Sequence, residues 1–310
     1  MAAPSLVDLL PSELAPRDLT SDLDLSPTAL GRALDLSIQM KRTPLRFKKA
    51  LEGRYLSLLF EKPSLRTRMT FEIAIRQLGG ESVLSVGPVA EREPVKDVAR
   101  NLDRWTQGIV ARVFSQTTID ELARWSSVPV INALSDLYHP CQAMADVMTL
   151  KEHFGRVDGL KVAFVGDGNN VAHSLMLTAG RLGAKVAVAS PKGYQPDAGI
   201  VAEASKSTEI TVTADPYEAI SGAHAVYTDV WTSMGQESEA NERKKVFAPY
   251  QVTEELFSKA RPDAVFMHCL PAKRGQEVTD EMVEHARSVV FDQAENRLHA
   301  QKALLTMLLA

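Results

Sequence analysis

A chain of 310 residues exceeds the usual single-domain size and predicts two domains of about 150 residues each. With 45% hydrophobic and 24% charged residues it has the balance of a soluble globular protein, and a net charge of -4 with a pI near 6.0 excludes the blanket basic field that draws nucleic acid or an anionic membrane. Cys141 and Cys269 are its only cysteines and neither belongs to a CxxC pair, so no disulfide framework or zinc cluster is expected.

The first residues lack the basic and apolar regions of a secretory leader, and no run reaches the ~18 apolar residues of a membrane span, so a cytoplasmic, membrane-free protein is expected. The seven histidines form no HExxH pair, and the expectation is no metal and no cofactor.

Along the chain, Ser26-Pro27 has the form of an N-cap followed by the first helical residue, with Leu30, Leu34 and Ile38 at helical spacing. Tyr55–Phe60 is a β-run. A helix then opens at Ser64, with Met69, Ile73, Ile75 and Leu78 expected on its buried side and Gly79-Gly80 ending it. Further β-runs at 109–114 and 128–134 flank a helical stretch at 119–125. Residues 139–154 form one long helix, in which Met144, Met148 and Leu150 belong to the core; Trp105 and Trp125 are expected to pack helices. After Gly155 a second series of β-runs follows, at Lys161–Val165, Lys185–Ala189, 209–213, 225–229, 264–269 and 288–291.

Alternation of this kind predicts an α/β fold with two doubly wound parallel-sheet domains joined by long helices. The first domain is expected to span 1–150 and to receive a C-terminal helix at 295–310, and the second to span 151–294. Residues 237–245, rich in charge, read as a solvated, mobile lid. His153, His173 and His285 need no functional role.

The chemistry-bearing residues cluster where β-runs end. Lys62, Arg66 and Arg68, with Ser64 and Thr67 between them, follow a strand at a helix start, where backbone N–H groups and guanidinium groups together suit a phosphate. A bare pair of arginines in a turn is more often only a solvated surface. Arg112 closes another β-run, His139-Pro140-Cys141-Gln142 opens a helix, Asp229 to Gly235 ends a third strand, and His268-Cys269-Leu270-Pro271 a fourth. Each alone has a structural explanation. Their common address at the carboxyl ends of strands, where open α/β sheets bind ligands, predicts one cleft between the domains.

Taken together, Phe60-Glu61-Lys62-Pro63-Ser64-Leu65-Arg66-Thr67-Arg68, His139-Pro140-Cys141-Gln142, Asp229 to Gly235 and His268-Cys269-Leu270-Pro271 resemble the signatures of the ornithine carbamoyltransferase family. The first two motifs are shared with aspartate carbamoyltransferase; the last two are the ornithine-specific part. The resemblance implies transfer of the carbamoyl group of carbamoyl phosphate to the δ-amine of L-ornithine, giving citrulline in arginine metabolism.

By the same resemblance, the first domain binds carbamoyl phosphate and the second ornithine. Ser64, Leu65 through its backbone, Arg66 and Thr67 hold the phosphate. Arg112, His139, Pro140, Cys141 and Gln142 serve the phosphate and the carbamoyl group, and Arg297 closes on the carbamoyl group from the last helix. Asn170, Asp229, Ser233 and Met234 hold the amino-acid end of ornithine, while Cys269 and Leu270 lie between the substrates. The family's sites lie between subunits, which implies a homotrimer or a multiple of it.

Two departures stand out: Leu65 replaces a Thr common in relatives, and Pro88 falls in residues 87–93, near a position where relatives place Gln or His toward a neighbouring subunit.

Other readings stay open at this point. Val165-Gly166-Asp167-Gly168-Asn169-Asn170-Val171 follows a strand and opens a helix, as in nicotinamide-dependent dehydrogenases, but its third glycine is Val171 and the next strand ends at Ala189-Ser190-Pro191 without an acidic residue. A two-domain binding protein is another reading, as are carbamoyltransferases acting on aspartate, putrescine or N-acylated ornithine. Asp229 favours a free α-ammonium over an acylated one.

Overall fold

The computed structural model describes residues 16–232 and 237–310. The chain divides into two compact units, one comprising the residues up to Met148 together with Asn296–Ala310, the other Thr149–Glu295.

In the first unit, helix α1 (Pro27–Arg42) starts where Ser26 Oγ accepts the Ala29 N–H, and Leu30, Leu34 and Met40 bury its apolar stripe. Four parallel strands follow: β1 (Tyr55–Phe60), β2 (Glu81–Val86), β3 (Gly108–Arg112) and β4 (Val130–Leu134), in the order β2-β1-β3-β4. Between them run α2 (Leu65–Gln77), α3 (Val95–Trp105) and α4 (Gln116–Trp125), and α5 (Pro140–Phe154) leads toward the second unit. Burial of β1 and β3 on both faces explains their continuous apolar reading.

The second unit holds β5 (Lys161–Val165), β6 (Lys185–Ala189), β7 (Ile210–Thr213), β8 (Ala225–Thr228) and β9 (Val265–His268), all parallel, in the order β7-β6-β5-β8-β9. Helices α6 (Asn170–Arg181), α7 (Ala198–Ala204), α8 (Pro216–Ile220), α9 (Ala240–Phe247), α10 (Glu254–Phe257) and α11 (Asp280–Val283) complete it. Its core includes Val165, Val226, Leu256, Phe257 and Phe266, each side chain contributing about 1.5–3 kcal/mol by leaving water. The chain returns to the first unit within α12 (Val290–Leu309). The end of α12 closes on the start of β3, where a Cβ on Gly108 would lie 2.8 Å from Leu309 Cδ2. A side chain at 108 would hold the helix away.

The fold class is the one expected, with two doubly wound parallel sheets and a C-terminal helix packed on the first. Three local expectations are corrected. Residues 288–291 are not a strand: a single bridge joins Ser288 to Phe266 and the chain then enters α12, since a short apolar run does not distinguish a strand from a buried helical turn. On α2 the buried face is Thr67, Phe71, Ala74 and Ile75, continued by Leu78; Ile75 and Leu78 are buried as expected, whereas Met69 is 47% exposed and lies off that face. Trp105 is 66% exposed and does not pack a helix.

Strand β2 escapes sequence reading because it is an edge strand open on much of both faces, and α3 because its surface is largely charged.

Candidate functional site

Both sheets have a switch point, where consecutive strands depart to opposite sides: between β1 and β3 in the first and between β5 and β8 in the second. Crevices form at the carboxyl ends of such strands. The candidate residues occupy both positions.

In the first unit, Phe60 at the end of β1 pairs in register with Arg112 at the end of β3, and a register shift beside Ala111 and Arg112 disturbs the pairing with β4 there. Irregularities of this type re-aim a side chain at a sheet's rim. Beyond β1, Ser64 caps α2 by accepting the Thr67 N–H at 3.2 Å, which fixes the start of the helix just past the strand end.

Thr67 is buried and its Oγ1 accepts a hydrogen bond from Arg297 Nη2 at 3.1 Å. Arg297 Nη1 donates to Gln142 Oε1 at 2.6 Å, and Gln142 Nε2 donates to Asp146 Oδ1 at 2.8 Å. These contacts bring α2, α5 and α12 together around a guanidinium that is 2% exposed.

His139 is buried beside them. Burial, reinforced by Arg297, Arg112 and Arg66, holds its imidazole well below the usual 6.5. The ring is therefore neutral at physiological pH, able to donate one N–H without adding charge. The region is rich in positive charge from three guanidinium groups and suits a compact anion.

Lys62 is also buried, its Nζ 4.4 Å from the centre of the Phe114 ring. Arg68 turns away to Glu72, 2.8 Å from Nε, and the Leu65 side chain is 74% exposed, which leaves only the backbone of Leu65 for a ligand at the helix start. Pro140 opens α5, and next to it Cys141 is buried, its thiol pushed up to about 12 by burial and its Sγ aimed at Asn132 O. That thiol is a packing group.

In the second unit, Asp229 follows β8. Its Oδ1 accepts from Cys269 Sγ at 3.0 Å and its Oδ2 from Asn169 Nδ2 at 2.9 Å. Asn169 also caps α6 through Oδ1, which accepts the Val171 and Ala172 N–H groups. Asn170, the expected residue, is the first of α6 and half-buried; its neighbour makes the bond to Asp229. An N-cap Asn beside a strand end was the available signal for Asn169.

After β9 come Cys269 and Leu270. Leu270 has φ of 57°, and left-handed backbone of this kind costs a leucine about 1–2 kcal/mol. Ser233 and Met234 lie outside the described residues.

The stretch expected as a solvated lid contains α9, in which Arg243 and Phe247 are buried. Arg243 Nη1 donates to Asp167 Oδ2 at 2.8 Å and to Trp231 O at 3.0 Å, and its Nε donates to Glu239 Oε2 at 2.9 Å. Burial raises the Asp167 carboxyl to about 6 although Arg243 pulls it back. A charged surface run was expected there because a sequence does not reveal that one of its cations is paired inside.

The donor atoms of Asp229, His268 and Cys269 lie within 4.8 Å of one another, a spacing a metal could use. Both nitrogens of His268 are engaged, Nδ1 with Leu270 N and Nε2 with Glu277, and Cys269 with Asp229. The three therefore act as hydrogen-bonding groups in this arrangement. The glycine pattern after β5 also has a packing cause: a Cβ on Gly168 would lie 2.1 Å from Pro196 N, so the close approach of the Gln195–Pro196 backbone requires glycine there.

The family model for the "Aspartate/ornithine carbamoyltransferase, carbamoyl-P binding domain" matches residues 17–152, and that for the "Asp/Orn binding domain" matches residues 158–308. The chain belongs to the aspartate/ornithine carbamoyltransferase family.

Within this family, the ornithine carbamoyltransferase of Thermus thermophilus is 54% identical over 298 residues, covering 95% of this chain and 97% of the relative. The solved ornithine carbamoyltransferase of Pyrococcus furiosus superposes with a TM-score of 0.92 at 46% identity, over 96% of this chain and 98% of that one. The crystal structure of the Thermus thermophilus enzyme gives 0.88 at 51% identity, over 95% and 99%. Arg297 falls within the second carbamoyltransferase match although it packs in the first unit.

Proposed function

We propose that this chain transfers the carbamoyl group of carbamoyl phosphate to the δ-amine of L-ornithine, forming L-citrulline and phosphate in arginine metabolism. The observation that carries the reading is the buried Arg297–Thr67–Gln142 network beside a neutral His139, a site for an anion bearing a polar acyl group.

On this reading Ser64, the backbone of Leu65, Arg66 and Thr67 hold the phosphate. Arg112 and His139 stabilise the oxyanion that grows as the amine attacks, with Gln142 and Arg297 holding the carbamoyl group. Pro140 and Cys141 shape the start of α5. The bond from carbon to the phosphate oxygen breaks as the new C–N bond forms, and the amine loses a proton.

Asp229, with Asn170, Ser233 and Met234, binds the amino-acid end of ornithine. Cys269 and Leu270 border the reacting amine. With a reference pKa near 10.4, an alkylammonium gives up one proton to solvent before the free amine attacks, and the second proton, lost from nitrogen as the C–N bond forms, passes to the departing phosphate. The enzyme is proposed to be a cytoplasmic homotrimer.

Citrulline formation, or its analogue, is to be assayed from carbamoyl phosphate with ornithine, putrescine, aspartate and N-acetylornithine in parallel. Turnover with ornithine is expected. Turnover only with another amine would overturn the acceptor and leave the phosphate pocket standing.

A further inference from the structure

We infer that His268 and Glu277 are positioning residues for the acceptor half-site: a buried dyad that fixes the Cys269–Leu270 backbone without touching substrate. The inference rests on the reading that Cys269 and Leu270 border the reacting amine.

Both side chains are fully buried. His268 Nδ1 accepts the Leu270 N–H at 2.8 Å, which requires a lone pair on that nitrogen and places the ring proton on Nε2, 3.2 Å from Glu277 Oε1. The same Oε1 accepts the Lys273 N–H at 2.5 Å, and Oε2 has no hydrogen-bond partner among the described residues. One oxygen therefore orients the imidazole and also ties down the far side of the loop.

The base of the loop is held as well, by the His268 N–H donating to Gln293 Oε1 at 2.9 Å. Between these ties Leu270 adopts its left-handed conformation, which persists where the surroundings over-determine it. Cys269, the residue between the imidazole and that conformation, is thereby kept with its Sγ 3.0 Å from Asp229 Oδ1.

The geometry divides the imidazole's work between its two nitrogens. Asparagine at 268 can present an acceptor near the place of Nδ1, whereas glutamine reaches toward the place of Nε2. His268→Asn is expected to keep kcat/KM for ornithine within about threefold of wild type, while His268→Gln loses about 10- to 100-fold, chiefly in ornithine KM. The KM for carbamoyl phosphate serves as the internal control and stays unchanged in both.

An equal loss in His268→Asn and His268→Gln, or no loss in either, overturns the inference. If His268→Asn does not fold, Glu277→Gln against Glu277→Leu decides: the glutamine keeps the single oxygen that both donors use and the leucine does not. Equal kinetics for that pair overturns the inference. A wild-type enzyme inactive on ornithine but active on another amine overturns the proposed acceptor instead, and the variants are then compared on that amine's KM.

Discussion

The carboxyl edge of the first sheet gathers cations, with Arg66, Arg112 and Arg297 near His139, whereas the same edge of the second gathers carboxylates, with Asp167 and Glu239 paired to Arg243 and Asp229 close to Asp167. One titratable group at each edge moves in a direction set by burial. His139 is pushed down toward neutrality and Asp167 is pushed up, and in each case the protein disfavours the charged form. One sheet geometry thus serves opposite electrostatic tasks, and the side chains at the strand ends decide which.

The sharpest way to break the first half is Arg112→Leu. A group that stabilises charge growing in the transition state is worth far more to the rate than to the fold, so citrulline formation is expected to fall by about 10²–10³ in kcat with ornithine binding retained. The corresponding lesion in the second half acts on stability. Arg243→Leu leaves Asp167 buried without its cation, and urea unfolding is expected to show a loss of about 3–5 kcal/mol. Adding Asp167→Asn to that variant is expected to recover part of the loss, because the uncompensated charge is gone.

Acidification distinguishes the halves in sign. The folded pKa of His139 lies below its unfolded value of 6.5, so below pH 6.5 the unfolded chain takes up a proton that the folded chain refuses and stability falls. The folded pKa of Asp167, about 6, lies above its unfolded value of 3.8, so its contribution is full below 3.8 and is lost as pH rises through 6. Between pH 7 and 5, therefore, His139→Asn is expected to gain stability relative to wild type as pH falls and Asp167→Asn to lose it. Each slope is bounded by about 1.4 kcal/mol per pH unit, and urea midpoints across that range measure both.

How far each half was readable follows from how local its determinants are. The Ser64 cap, the strand before it and the helix after it are contiguous, and strands buried on both faces such as β3, β5 and β6 announce themselves as apolar runs. The partners of those motifs are distant in sequence: Arg297 reaches Gln142, Arg243 reaches Asp167, and Asn169 reaches Asp229. Arg297 was found through resemblance to a family, since a lone arginine on a helix carries no local sign of its target. Arg243 and Glu277 were missed for the same reason. The apparent strand at 288–291 failed because apolar residues entering a buried helix have no period to read in so short a span.

Arg68 tests whether proximity in sequence was itself informative. It belongs to the same five-residue run as Ser64, Arg66 and Thr67, yet its side chain is half exposed and paired one helical turn on with Glu72. Arg66 and Arg68 lie two positions apart on a helix and so do not share a face. An exposed i,i+4 pair is worth about 0.3–0.5 kcal/mol. Arg68→Ala is accordingly expected to lower the unfolding free energy by no more than that amount and to leave the carbamoyl phosphate KM unchanged, whereas Arg66→Ala raises that KM strongly. Equal kinetic damage from the two variants would mean that the pocket recruits the whole run and that the Arg68–Glu72 pair yields when phosphate binds.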